Sequence, residues 1–171
     1  MLSVEQIAKF GHDSGVYAFM NSAWGWPTIE SIHFIALSTL LATVGLFDLR
    51  ALGVAKQIPM PELHRLIPFG VGAYLVNIVT GSMFFMSAPD QYMFNPAFRL
   101  KLACMAVAGL NVAVFYGAFE RRLHGTAAGA EAPLPVKVIA AISLAAWVGV
   151  IVFGRLITMF RPPYHWCFAC S

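Results

Sequence analysis

The chain has 171 residues, 59% of them hydrophobic and only 11% charged, with a formal net charge of +3. A water-soluble domain carries about 25% charged residues, so much of this surface faces a solvent other than water. The small positive excess, with no basic run longer than Arg121-Arg122, excludes nucleic acid as a partner.

Residues 1–25 precede the first long apolar run. Met1 to Gly11 carries Glu5, Gln6 and Lys9 and lacks the basic start and apolar core of a signal peptide, so the first long helix is expected to serve as its own insertion signal. Ser3 and Gln6 have capping-box spacing, and Val4, Ile7 and Ala8 share the helical face behind them. Val16, Phe19, Met20 and Ala23 continue the pattern after Gly15. Lys9, His12 and Asp13 interrupt it, which predicts two short interfacial helices rather than a further span. Trp24 and Trp26 stand where an aromatic belt belongs.

A membrane span needs about 20 mostly apolar residues. Four stretches meet that length, near residues 28–50, 64–87, 97–121 and 136–159. The links Gly53 to Pro61, Pro89 to Pro96 and Gly125 to Pro135 are polar, short and rich in helix breakers, which makes consecutive spans antiparallel. The expected fold is all-α: an integral membrane four-helix up-down bundle over residues 26–160. The interfacial segment 1–25 precedes it, and a tail, 161–171, follows. Gly109, Ala113 and Gly117 on the third span, and Ala141, Ala145 and Gly149 on the fourth, recur every four residues. They are either close-approach stripes or ordinary small residues of Ala-rich helices.

The end of the bundle opposite both termini holds Arg50, Lys56, Arg65, Arg121, Arg122 and Lys137. The terminal side holds Lys9, Arg99, Lys101, Arg155 and Arg161. The bias is slight and points the first set to the cytoplasm. The expected location is a bacterial inner membrane, with both termini periplasmic.

His33 lies inside the first span, one turn after Glu30. Ionisable residues within a membrane are costly and mark function, and a neutral imidazole is the usual axial ligand of haem iron. The alternative is a histidine hydrogen-bonded to a neighbouring helix. A second axial ligand must sit at similar depth. His165 and His12 qualify, whereas His64 and His124 lie across a hydrocarbon layer about 30 Å thick and read as solvated surface residues. Arg155 either snorkels or neutralises a haem propionate. Asn77 and Asn111 read as helix-bridging amides, and Cys104 as a small core residue. In the tail, His165, Cys167 and Cys170 fall within six positions. They suit a Cys167–Cys170 disulfide, idle thiols, or a zinc or copper site. The haem c attachment pattern is absent, because Ser171 follows Cys170.

Several stretches carry a resemblance: Pro27-Thr-Ile-Glu-Ser-Ile-His33, Phe47-Asp-Leu-Arg-Ala-Leu-Gly53, Thr80-Gly81, Asn95-Pro-Ala-Phe-Arg-Leu-Lys101, Gly109-Leu-Asn111 and Gly154-Arg155-Leu-Ile. Over about residues 24–160 the chain resembles a bacterial family of four-helix membrane proteins classed as a domain of unknown function. That family is distantly similar to the membrane domain of copper-resistance D proteins. Glu30, His33, Asp48, Arg50, Asn111 and Arg155 fall on its pattern positions, while the tail does not. The resemblance implies the fold and no settled activity.

Three functions follow as expectations. The first is a b-type haem subunit for electron transfer, working in a larger membrane redox complex or with a periplasmic carrier. The second is copper handling, with His33, His165, Cys167 and Cys170 as metal ligands. The third is a cofactor-free accessory subunit; a homo-oligomer is compatible with all three. No Ser-His-Asp grouping, phosphate-binding Gly-rich loop or intramembrane carboxylate pair argues for an independent enzyme.

Overall fold

The computed structural model of the chain describes residues 3–118 and 130–160. Every regular element among them is helical. The chain opens with α1 (Val4–Asp13) and α2 (Val16–Met20). Ser3 caps α1 as its spacing predicts: Gln6 N donates to Ser3 Oγ at 3.2 Å, and Ser3 N to Gln6 Oε1 at 2.9 Å. Both short helices pack on α5, and Gly11 makes this close: a Cβ there would stand 2.6 Å from the Met86 carbonyl oxygen.

The first span is α3 (Gly25–Leu52), whose 28 residues reach about 42 Å. It stops at Gly53, which adopts φ 100°, a left-handed conformation that costs glycine little. Gly53 N and Val54 N then donate to the carbonyls of Arg50 and Leu49, closing the helix end. The short α4 (Met60–His64) leads into the second span, α5 (Ile67–Ser87). Next come α6 (Pro89–Met93), the third span α7 (Pro96–Ala118), and the fourth span α8 (Leu134–Leu156), which tightens into a 3₁₀ turn over Ile157–Phe160. Proline stands in the first turn of α4, α5, α6 and α8, where its missing N–H is not needed.

Helix α3 packs along α5, α7 packs along α8, and an α3–α8 contact joins the two pairs. Helices α5 and α7 form no comparable interface. The outer faces are apolar: Ile35 is 68% exposed, Leu110 67% and Val79 60%. All four long helices are long and apolar enough to cross a bilayer. The chain is an all-α four-helix membrane bundle, and its outer surface is solvated by lipid.

In lipid, apolar burial between helices gains little, so close packing and interhelical hydrogen bonds decide how helices meet. Three contacts do this work. A Cβ on Gly149 would stand 2.7 Å from Cys104 Sγ, so glycine there lets α7 and α8 close on one another. A Cβ on Gly70 would stand 2.7 Å from Thr43 Oγ1, at the α3–α5 contact. Asn111 Nδ2 donates to the Ile139 carbonyl at 3.0 Å and bridges α7 to α8. Asn77 does not bridge; its Nδ2 donates to Ala73 O in its own helix. Of the two small-residue stripes, only Gly149 serves close approach. Ala113, Ala141 and Ala145 are exposed, and nothing lies near Gly109 or Gly117.

Polar ties hold the ends. Asn95 is completely buried. Its Oδ1 accepts from Ala97 N and Phe98 N at the start of α7, and its Nδ2 donates to Ile157 O at 3.0 Å. At the opposite end Arg50, 1% exposed, donates to the carbonyls of Ile58 and Ala130.

Candidate functional site

His33 lies on the inner side of α3 near the end that carries α1. Its Nδ1 is 2.7 Å from Thr80 Oγ1 on α5. The Thr80 hydroxyl also lies 2.8 Å from Val76 O: with its proton turned there Oγ1 accepts from His33 Nδ1–H, and with its proton turned to the ring Nδ1 accepts. The first arrangement leaves the imidazole lone pair on Nε2. The ring meets the edge of Phe84, with centroids 5.6 Å apart. Lys101 of α7 is within electrostatic reach.

The other sequence-predicted residues do not gather around it. His12 is exposed on α1 and stacks on Tyr17, with ring centroids 3.9 Å apart. Arg155 is exposed in the last turn of α8. His64 sits on α4 against Tyr116, at the far end. His124, His165, Cys167 and Cys170 lie outside the described residues. Among the described residues no three His, Cys, Asp or Glu side chains come together as a metal site.

The structure opens a cavity elsewhere. It has a volume of about 220 Å³ and lies between all four spans, in the half of the bundle nearer α4. Its α3 wall begins at Leu40, seven residues and about 10 Å beyond His33, so the two features are separate. The cavity exists because α5 and α7 do not close on each other. Val71 of α5 and Val112 of α7 both line it and are 54% and 41% exposed. Gly109, also in the lining, has open space where a side chain would stand. The mouth therefore faces the bilayer between α5 and α7.

The lining is apolar except at a few positions. Asp48 of α3 is one of them and is 5% exposed. Leu40, Val44, Phe47, Asp48 and Ala51 line the cavity from one face of α3, at the spacing of a helical stripe. Ser143 of α8 stands beside the Asp48 carboxylate. Trp147, one turn further along α8, is also in the wall and is 7% exposed. Asp48 Oδ2 and Trp147 Nε1 are both buried, with no hydrogen-bond partner among the described residues. A buried polar atom without a partner costs about 1–3 kcal/mol. An acceptor and a donor in one cavity wall are thus both left unmet.

In the sequence Asp48 falls on a pattern position of the resembled family, two residues before the expected end of the first span, and is assigned no role there. Leu40, Val44, Phe47 and Ala51 share its face of α3, but the other faces of the helix are apolar as well, so the sequence does not single this one out; burial makes Asp48 the one carboxylate on the inward face of α3.

No family model, curated protein or solved structure matches this chain.

Proposed function

We propose that the protein is a membrane-embedded binding protein that takes a lipophilic small molecule from the bilayer into the cavity between its four spans. One observation carries this reading: a cavity of about 220 Å³ at membrane depth whose mouth faces lipid between α5 and α7. Small-molecule sites are concave, mostly apolar and carry a few polar groups that orient the ligand. This cavity has that make-up, with Asp48, Ser143, Asn111 and Trp147 set in an apolar wall. A head fits inside while an apolar tail leaves through the mouth. The bias of basic residues supports an orientation with the cavity toward the cytoplasm and both termini periplasmic in a bacterial inner membrane.

The test uses the full chain in lipid nanodiscs. A Gly109→Phe variant places a ring at the mouth, where the structure has open space. Wild type is expected to carry a stoichiometric lipophile, identified by extraction and mass spectrometry. The variant, folded to the same extent by circular dichroism, is expected to carry none. Equal lipid profiles in the two overturn the reading.

A second reading is a haem b subunit for electron transfer, and one observation favours it. Thr80 engages His33 Nδ1 at 2.7 Å, and in the tautomer in which Nδ1–H donates, the Nε2 lone pair is left for a metal, the arrangement that orients ligating histidines. The absorption spectrum of the purified protein tests this. A Soret band in wild type, lost in His33→Ala, supports it; its absence in wild type removes it.

A further inference from the structure

We infer that the cavity has a second entrance at the α4 end, shut by a floor of two chain links that Arg50 latches together. The inference concerns the same cavity as the lipophile-binding reading above and adds a gated route from water. It is tested by water access rather than by ligand, so each can fail without the other.

The floor is built from chain outside the spans. Ala51, Phe115 and Val136 line the cavity at this end, and they form one buried cluster with Met60 and Ala132, which do not line it. Met60 follows the link 53–59, and Ala132 lies in the link 130–133 that precedes α8. The two are 2% and 5% exposed. They back the cavity wall from beyond the ends of α3 and α8.

Polar ties hold both links in place. Arg50, in the last turn of α3, is 1% exposed. Its Nε donates to Ile58 O in the first link at 2.7 Å. Its Nη1 and Nη2 donate to Ala130 O in the second link at 3.4 and 3.3 Å. One side chain thus fastens both links to the end of α3. At the surface, Glu131 accepts from Lys56 and Lys137 and joins the same two links a second time.

The closed form carries costs that an open form escapes. No carboxylate among the described residues pairs with Arg50. Its charge is buried against carbonyl oxygens alone, and a buried charge without a counter-charge is unfavourable. Ala55 in the first link has φ 54°, a left-handed conformation that strains a residue with a Cβ. Swinging that link away hydrates the guanidinium and relieves Ala55, but uncovers Met60 and the cluster it joins. Opposed terms of this kind let a segment open locally while the four spans stay packed.

The experiment reads water access to the cavity in the full chain in lipid nanodiscs, where both ends of the bundle meet buffer. Cys104→Ala, Cys167→Ser and Cys170→Ser remove the native thiols. Ala140→Cys then places one thiol in the cavity wall, one turn deeper than Val136, where Ala140 is 2% exposed. The probe is a charged methanethiosulfonate that does not dissolve in lipid. Its rate at Ala113→Cys, on the exposed outer face of α7, is subtracted as reagent arriving through the bilayer. With the latch intact, Ala140→Cys is expected to react slowly. Arg50→Met keeps the bulk and loses the donors. It is expected to speed the reaction about tenfold, the scale of one hydrogen bond to a charged group, with helix content unchanged by circular dichroism. Lys56→Ala, at the exposed tie, is expected to speed it about twofold, the scale of a surface ion pair. Fast reaction with the latch intact would overturn the inference, because the floor would already be open. No acceleration in a folded Arg50→Met protein would overturn it too, because something other than the latch would hold water out. Should Arg50→Met lose its helix content, Lys56→Ala decides: a faster reaction supports the latch and an unchanged rate overturns it.

Discussion

His33 Nδ1 and Thr80 Oγ1 lie 2.7 Å apart and join α3 to α5 near one end of the bundle. The bond gives a partner to an imidazole inside a span, where water is not at hand to supply one. Thr80→Val keeps the shape and removes the hydroxyl. It is expected to lower stability by about 1 kcal/mol, the usual scale for interhelical hydrogen bonds in membranes, and Thr80→Ser to restore most of the loss. Reversible unfolding in bicelles measures both. A Thr80→Val protein as stable as wild type would mean that His33 finds another partner.

Cys104 and Gly149 set the approach of α7 to α8. Gly149→Ala brings a Cβ to 2.7 Å from Cys104 Sγ, an overpacking expected to cost about 1–3 kcal/mol. Cys104→Ala in the same chain frees the space and should return much of that loss. Gly109→Ala meets nothing within 4 Å and should leave stability unchanged or slightly raised, since alanine favours helix. Thermal unfolding of wild type, Gly149→Ala, Cys104→Ala, their double variant and Gly109→Ala in one detergent checks the pattern. Additive losses at Cys104 and Gly149 would contradict it.

Asn95 has two separable tasks. Its Oδ1 caps α7 and its Nδ2 holds the Ile157 carbonyl of the 3₁₀ turn. Asn95→Ala loses both and should destabilise by about 2 kcal/mol. Asn95→Ser keeps a capping oxygen, leaves Ile157 O unpaired and should fall between. Hydrogen exchange localises the effect: the amides of Ala97 and Phe98 lose protection in Asn95→Ala and keep it in Asn95→Ser.

Glu131 ties the α3–α4 link to the start of α8. It accepts from Lys56 at 2.5 Å and from Lys137 at 2.9 Å. Lys56 first, and then Lys137, pull its carboxyl from the ordinary 4.5 down to about 2. A carboxyl with a lowered folded pKa favours the folded state above its unfolded value and loses that contribution as pH falls through the folded value. The contribution of Glu131 is thus complete above about pH 4.5 and vanishes near pH 2. The group is exposed, so the effect is small and weakens with salt. Between pH 5 and pH 2, Glu131→Gln should lose less thermal stability than wild type. Parallel acid profiles of the two proteins would refute the role.

The number, length and antiparallel order of the spans were legible in the residues, because the bilayer imposes a length on any helix that crosses it. The cap at Ser3 and Gln6 was legible too, since it is settled within one turn. Which face of each span turns inward was not. In lipid the interior and the exterior are both apolar, so the periodicity that marks a buried face in water is faint along α3, α5 and α7. Gly109 and Gly149 carry equal weight in a sequence pattern. Only the packing of α8 on α7 puts Gly149 inside and leaves Gly109 at an open mouth. Asp48 likewise stands close to the span's end in sequence. It became a cavity residue through the α3–α8 contact that sets Ser143 beside it and through the gap left between α5 and α7. These relationships join residues far apart in the chain, and no local preference encodes them; they are decided where helix surfaces meet.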